Sequence, residues 1–150
     1  MGIKEQLRSD LTEAIRSRNE IVSGTIRMVL SAITNEEVSG KTSRELSDAE
    51  VITVLSREAK KRREAAEAFD AGDRPEKAAL ERAEGEVISN YLPAQMSESE
   101  LNKLIADAIA ETGASGPTGM GLVMKVLAPK IAGKADGGTV SAAVKSALSN

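Results

Sequence analysis

Two aromatic side chains, Phe69 and Tyr91, serve a chain of 150 residues, and this scarcity constrains the fold more than any other feature. Sheet-built cores draw on aromatic and β-branched side chains. Here the apolar content is mainly Ala, Val, Ile and Leu, which suits thin, closely packed helices. An all-α fold without substantial sheet is expected. A chain of this length buries roughly 70% of the surface that its unfolded form exposes, so it needs no disulfide or metal staple.

Apolar spacing divides the chain into helices. Ile3, Leu7, Leu11 and Ile15, with Ala14 beside them, predict an amphipathic first helix that fades near Arg18 and Asn19. Ile26, Val29, Leu30 and Ile33 predict a second to about Val38, with a bend or start near Gly24. Ser47 and Glu50 have capping-box spacing and open a third helix through Val51, Leu55, Ala59, Ala66 and Phe69, where Gly72 is expected in the left-handed cap. Asp73 as N-cap and Pro75 in the first turn start a fourth through Leu80, Ala83, Val87 and Tyr91. The third and fourth helices should form a long antiparallel hairpin.

Pro93 interrupts the pattern, because it disfavours a helical Leu92 and donates no backbone hydrogen bond. This places an N-terminal helical domain at 1–92, a linker at 93–96 and a C-terminal three-helix module at 97–150. Tyr91, next to the boundary, reads as a packing residue at the joint between the halves. In the module, Ser97 and Glu100 form a second capping box ahead of Leu101, Leu104, Ile105, Ala108 and Ile109, and Gly113 closes that helix. Met120, Val123, Met124, Leu127 and Ile131 mark the next helix, and Val140, Val144 and Leu148 the last.

The chain contains no Cys and no His, which removes thiolate nucleophiles, imidazole acid–base chemistry and nearly every zinc arrangement. No metal, cofactor or catalytic residue is expected. No segment approaches the roughly 20 apolar residues of a membrane span, and the N-terminus opens on an amphipathic pattern, so a soluble, cytoplasmic protein is expected. The net charge of −3 argues against a general nucleic-acid binder, but residues 112–150 carry Lys125, Lys130, Lys134 and Lys145 against Asp136 alone. The denser cluster Arg57, Lys60, Lys61, Arg62 and Arg63 is interleaved with Glu58, Glu64 and Glu67 and reads as a salt-bridged face, with the Arg62 stem laid across the hairpin. The neighbouring pairs Glu36, Glu37 and Glu84, Glu86 read as surface charge. Gly119 and Gly121 at a helix start allow close approach by a partner and leave amide donors for a phosphate, while Gly133 to Gly137 form a turn presenting Lys134, with Asp136 as a cap. Close packing of three short helices accounts for the same glycines.

Seven strings in the same order resemble the YqeY family: Thr25-Ile26-Arg27-Met28 through Asn35-Glu36-Glu37, Leu46 to Val51, Arg62 to Ala66, Tyr91-Leu92-Pro93, Glu111 to Ala114, Met120 to Met124 and Gly133 to Gly137. The C-terminal module is similar to the tail of the B subunit of the glutamyl/aspartyl-tRNA amidotransferase, and like modules are fused to some glutaminyl-tRNA synthetases. The resemblance implies tRNA contact away from the reacting end and a family label of carbon–nitrogen ligase with glutamine as amido-nitrogen donor, although the domains that carry that chemistry are not in this sequence. At Leu122 the chain departs from a family position that is often polar or basic. The expected tRNA-binding residues are Lys125, Lys130 and Lys134, with the backbone near Gly121 and Gly133. The rival expectation is a helical adaptor that docks to a synthetase or an amidotransferase subunit.

Overall fold

The computed structural model describes residues 2–149; Met1 and Asn150, the outer limits of the two expected domains, lie outside them. The described residues are all-helical, with no strand. The helices are α1 (Ile3–Arg16), α2 (Glu20–Glu37), α3 (Asp48–Ala71), α4 (Pro75–Ser89), α5 (Glu98–Thr112), α6 (Met120–Ile131), preceded by a 3-10 turn (Pro117–Gly119), and α7 (Gly137–Ser149). They divide into two compact units, Met1–Leu92 and Pro93–Asn150.

In the first unit α1 buries Leu7 and Ala14 and leaves Ile15 half exposed. A strict four-residue repeat drifts around a helix of 3.6 residues per turn, so Ala14 takes the inward position expected for Ile15. Helix α2 begins before Gly24 and runs through it unbroken. The Asn19 side chain accepts the Val22 amide at 3.2 Å and starts the helix early, and Gly24 sits in its interior. Ser23 and Thr25 are buried beside it, their hydroxyls donating to the carbonyls of Glu20 and Ile21 at 3.3 and 2.7 Å.

Glu37 corrects the surface-charge reading. It is buried at the end of α2, where both carboxylate oxygens accept from Lys4 Nζ at 2.8 Å and one also accepts the buried Leu46 amide at 3.1 Å. The Lys4 hydrogen bond, then the Leu46 amide, holds the carboxyl below the ordinary glutamate range. One side chain thereby ties the start of α1 and the end of α2 to the segment leading into α3. Glu36, its neighbour, faces Arg57 at 3.5 Å.

The Ser47–Glu50 capping box forms as expected, with the Glu50 amide donating to Ser47 Oγ at 3.3 Å and the Ser47 amide to Glu50 Oε2 at 3.1 Å. At the other end of α3 the left-handed residue is Asp73 (φ 58°), one position beyond Gly72 (φ −88°). The Arg74 amide then closes the turn on the Phe69 carbonyl at 2.7 Å, a Schellman-type arrangement that Asp tolerates. Asp73 is therefore the end of α3. Arg74 holds the N-cap position of α4 without a side-chain bond, and Pro75 occupies its first turn. Lys77 lies 5.6 Å from the Phe69 ring centroid, Asp70 pairs with Arg82, and Arg62 meets Glu84 and lies under Gly85. Arg62 facing Glu84 while Phe69, two turns further along α3, faces Lys77 near the start of α4 describes an antiparallel pair. Helix α4 buries Ala78 and Ile88, whereas Leu80 of the expected stripe is 49% exposed.

The second unit has its own core of Leu101, Ile105, Ala108, Val123, Leu127, Ile131, Val140 and Val144. Its first helix opens on the Ser97–Glu100 box, with bonds of 3.1 and 3.0 Å, and closes at Gly113 in the left-handed region (φ 66°). Residues 93–96, read from the sequence as a linker, belong to this unit. Gln95 Nε2 donates to the Gly133 carbonyl and the Met96 amide to the Lys134 carbonyl, both at 2.9 Å.

Candidate nucleic-acid interface

The two glycines at the start of α6 play different parts. A Cβ on Gly119 would lie 2.8 Å from Ala114 Cβ and 3.3 Å from Ala114 Cα, inside any normal contact, so the close approach at Gly119 is made by this chain itself. A Cβ on Gly121 would meet nothing within 4 Å, and the position is exposed. The amide donors expected to be free there are partly taken: Gly119 N donates to the Gly116 carbonyl at 3.1 Å and Met120 N to the Pro117 carbonyl. The 3-10 turn fills the place where a phosphate would find bare amides.

These environments predict opposite outcomes for one substitution. Gly119→Ala should lower stability by about 1–3 kcal/mol through overpacking against Ala114. Gly121→Ala should raise it by up to about 1 kcal/mol, the helix-propensity difference at an open site. Urea unfolding of both variants checks the pair, and a destabilised Gly121→Ala would mean that the position is not open.

Lys125, Lys130, Lys134 and Lys145 are all exposed. Lys125 stands one turn along α6 from Gly121 and close to Leu122, which is 56% exposed. At 3.6 residues per turn Lys130 is about 140° around the helix from Lys125, so these two lysines flank α6 and do not share one face. Lys134 lies in the following turn, where Gly133 is left-handed (φ 72°). The Lys134 and Ala135 amides both donate to the Ile131 carbonyl, at 2.8 and 3.2 Å, so near Gly133 the lysine side chain, more than the backbone, is open to a ligand. Asp136 accepts from the Thr139 amide and hydroxyl, both at 3.1 Å, and so caps α7 as expected.

Tyr91 is held within the first unit, where its hydroxyl donates to Asp10 Oδ2 and its ring packs against the Leu7–Ile88 core. Burial, and then the bond to Asp10, raises its pKa far above the usual phenol value, so it stays a neutral donor at physiological pH. Sequence reasoning missed this pairing, because an Asp on α1 and a Tyr 81 residues later carry no local signal of contact. The basic cluster on α3 is salt-bridged as expected, with Arg57 on Glu36 at 3.5 Å and Lys61 on Glu58 at 3.1 Å. Among the described residues no group of three His, Cys, Asp or Glu side chains is placed to hold a metal ion, and no helix is long and apolar enough to cross a membrane.

The chain matches the family model described as Yqey-like protein over residues 4–148. Among curated proteins it is similar to one from Clavispora lusitaniae named altered inheritance of mitochondria protein 41, mitochondrial, at 32% identity over 106 residues, or 69% of this chain and 61% of that protein. A protein of the same name from Lachancea thermotolerans is 28% identical over 75% of this chain and 60% of its own length. An uncharacterized protein of Schizosaccharomyces pombe is 30% identical over 64% of this chain and 76% of its own length. The chain thus spans about three-fifths of the first two relatives. With the family model matched from residue 4 to residue 148, through both units, this chain belongs to the YqeY-like family.

Proposed function

We propose that this chain is an accessory protein of the tRNA-dependent amidotransferase type, which binds tRNA through its C-terminal unit without catalysis of its own. The observation that carries the reading is charge placement. Four exposed lysines stand in the last 39 residues, and the one carboxylate among them, Asp136, is turned to the Thr139 cap. Lys125, Lys130 and Lys134 are the phosphate contacts, and Gly121 leaves room for a backbone to approach beside Lys125. Because Lys125 and Lys130 flank α6, the ligand must reach around the helix, which suits a folded RNA better than a straight duplex. Three phosphate contacts give a salt slope of about −0.9 each on duplex-like regions, hence micromolar or weaker binding without a partner. The absence of Cys fits a reducing compartment, the cytoplasm in this reading.

Fluorescence titration with total tRNA tests it. The triple variant Lys125→Glu, Lys130→Glu, Lys134→Glu should lose at least about tenfold in affinity and most of the salt dependence. Equal affinity of variant and wild type would sink the site.

The exposed apolar side chains Ile15, Ile21, Met28 and Leu80 of the first unit favour a second reading, a helical adaptor for a synthetase or amidotransferase subunit. A pull-down that survives nuclease and maps to residues 1–92 would support it.

A further inference from the structure

An unevenly balanced charge cluster lies inside the α3–α4 hairpin. Arg62, 14% exposed at its side chain, is met by three carboxylates: Glu58 at 3.7 Å, Glu81 at 3.7 Å and Glu84 at 3.2 Å. Glu58 also has Lys61, 3.1 Å away at the surface. The contact from α2 is uncharged, Met28 Sδ at 3.4 Å from Arg62 Nη2. Glu81 and Glu84 therefore both depend on the same guanidinium nitrogen, Nε, and neither forms a hydrogen bond with it: Nε and Glu81 Oε2 are out of reach of solvent and have no hydrogen-bond partner. An occluded carboxylate oxygen without a donor is costly, and two carboxylates on one cation repel each other.

We infer that Glu81 and Glu84 share one proton, taken from solvent under mildly acidic conditions, and that its uptake tightens the hairpin. Three residues apart on α4, the two side chains are neighbours on one helix face. A proton on Glu84 gives Glu81 Oε2 its missing donor and leaves Arg62 facing one fewer charge. Burial, then the Glu81 charge, raises the Glu84 carboxyl above its ordinary range, against the opposing pull of Arg62. A carboxyl whose folded-state pKa is raised binds its proton more tightly when folded, so the associated stability is fully present below the unfolded value and is lost as pH rises through the folded one.

The full chain provides the test. In a carbon-detected NMR titration, the Glu81 and Glu84 carboxyl resonances should move together, with a first midpoint above that of Glu64, which is exposed on the same hairpin. Titration in step with Glu64 would overturn the inference. In urea unfolding, Glu84→Gln, whose amide supplies the donor permanently, should raise the folding constant at pH 7 by about two- to tenfold. It should also flatten the stability change between pH 7 and pH 5. A Glu84→Gln variant less stable than wild type at pH 7, or one that keeps the pH dependence, would overturn it equally, and the NMR titration of the wild type decides the matter if the variant does not fold.

Discussion

Leu127→Ala should cost the second unit about 3 kcal/mol, a third or more of its stability. Leu127 is fully buried in a cluster drawn from all three helices of that unit, and truncating such a leucine removes its transfer free energy and leaves a cavity, together about 2–5 kcal/mol. A unit of this size has about 0.05–0.15 kcal/mol of stability per residue, roughly 3–9 kcal/mol in all, so the loss is a third of it or more. Native-state amide exchange checks it: protection at Ile105, Val123 and Val144 should fall by about two orders of magnitude. Leu122→Ala, on the same helix but exposed, should stay within about 0.5 kcal/mol of wild type. Equal effects of the two substitutions would mean that α6 presents a different face to the core.

Arg62→Ala should destabilise the first unit by about 3 kcal/mol. It strips the stem that packs against Gly85 and takes from Glu58, Glu81 and Glu84 the guanidinium that all three face, Glu58 keeping Lys61 at the surface. Removing one partner from a largely buried ionic group costs about 3–5 kcal/mol, chiefly through the charges left unpaired. The loss should be largest at neutral pH and partly recovered near pH 5, because the stranded carboxylates take up protons and stability carried by a raised carboxyl is present on the acid side. Arg63→Ala, one residue on and exposed, should change stability by less than about 0.5 kcal/mol. Urea midpoints of both variants at two pH values separate these outcomes, and a loss independent of pH would show that Arg62 acts through its stem alone.

What the sequence disclosed was local chemistry. Both capping boxes, the Gly113 stop and the inward faces of α5, α6 and α7 depend on residues within a turn or two of each other, and each appears where its spacing places it. The Asn19 cap is local chemistry of the same kind, masked in the sequence by Gly24 five residues later, whose helix penalty points to a start further on. The buried carboxylates were not legible. Glu37 finds Lys4 33 residues earlier and Leu46 nine residues later, and Glu84 finds Arg62 across the hairpin. A Glu-Glu or Glu-Gly-Glu string looks the same on a solvated face and in such a clamp. Leu80 failed in the opposite sense, since its periodicity was sound while α4 turned Ala78 and Ile88 inward. For the lysines, charge counting grouped Lys125 with Lys130, although helix geometry sets them on different sides.

The bonds from Gln95 and Met96 to Gly133 and Lys134 bear on where the chain can be cut. A fragment beginning at Ser97 would carry all three C-terminal helices yet expose two carbonyls of the α6–α7 turn, freeing the loop that presents Lys134. One beginning at Pro93 would keep the donors with their acceptors. The four residues that look dispensable act as a latch on that lysine, and the frame in which it is held begins before the first helix of the unit.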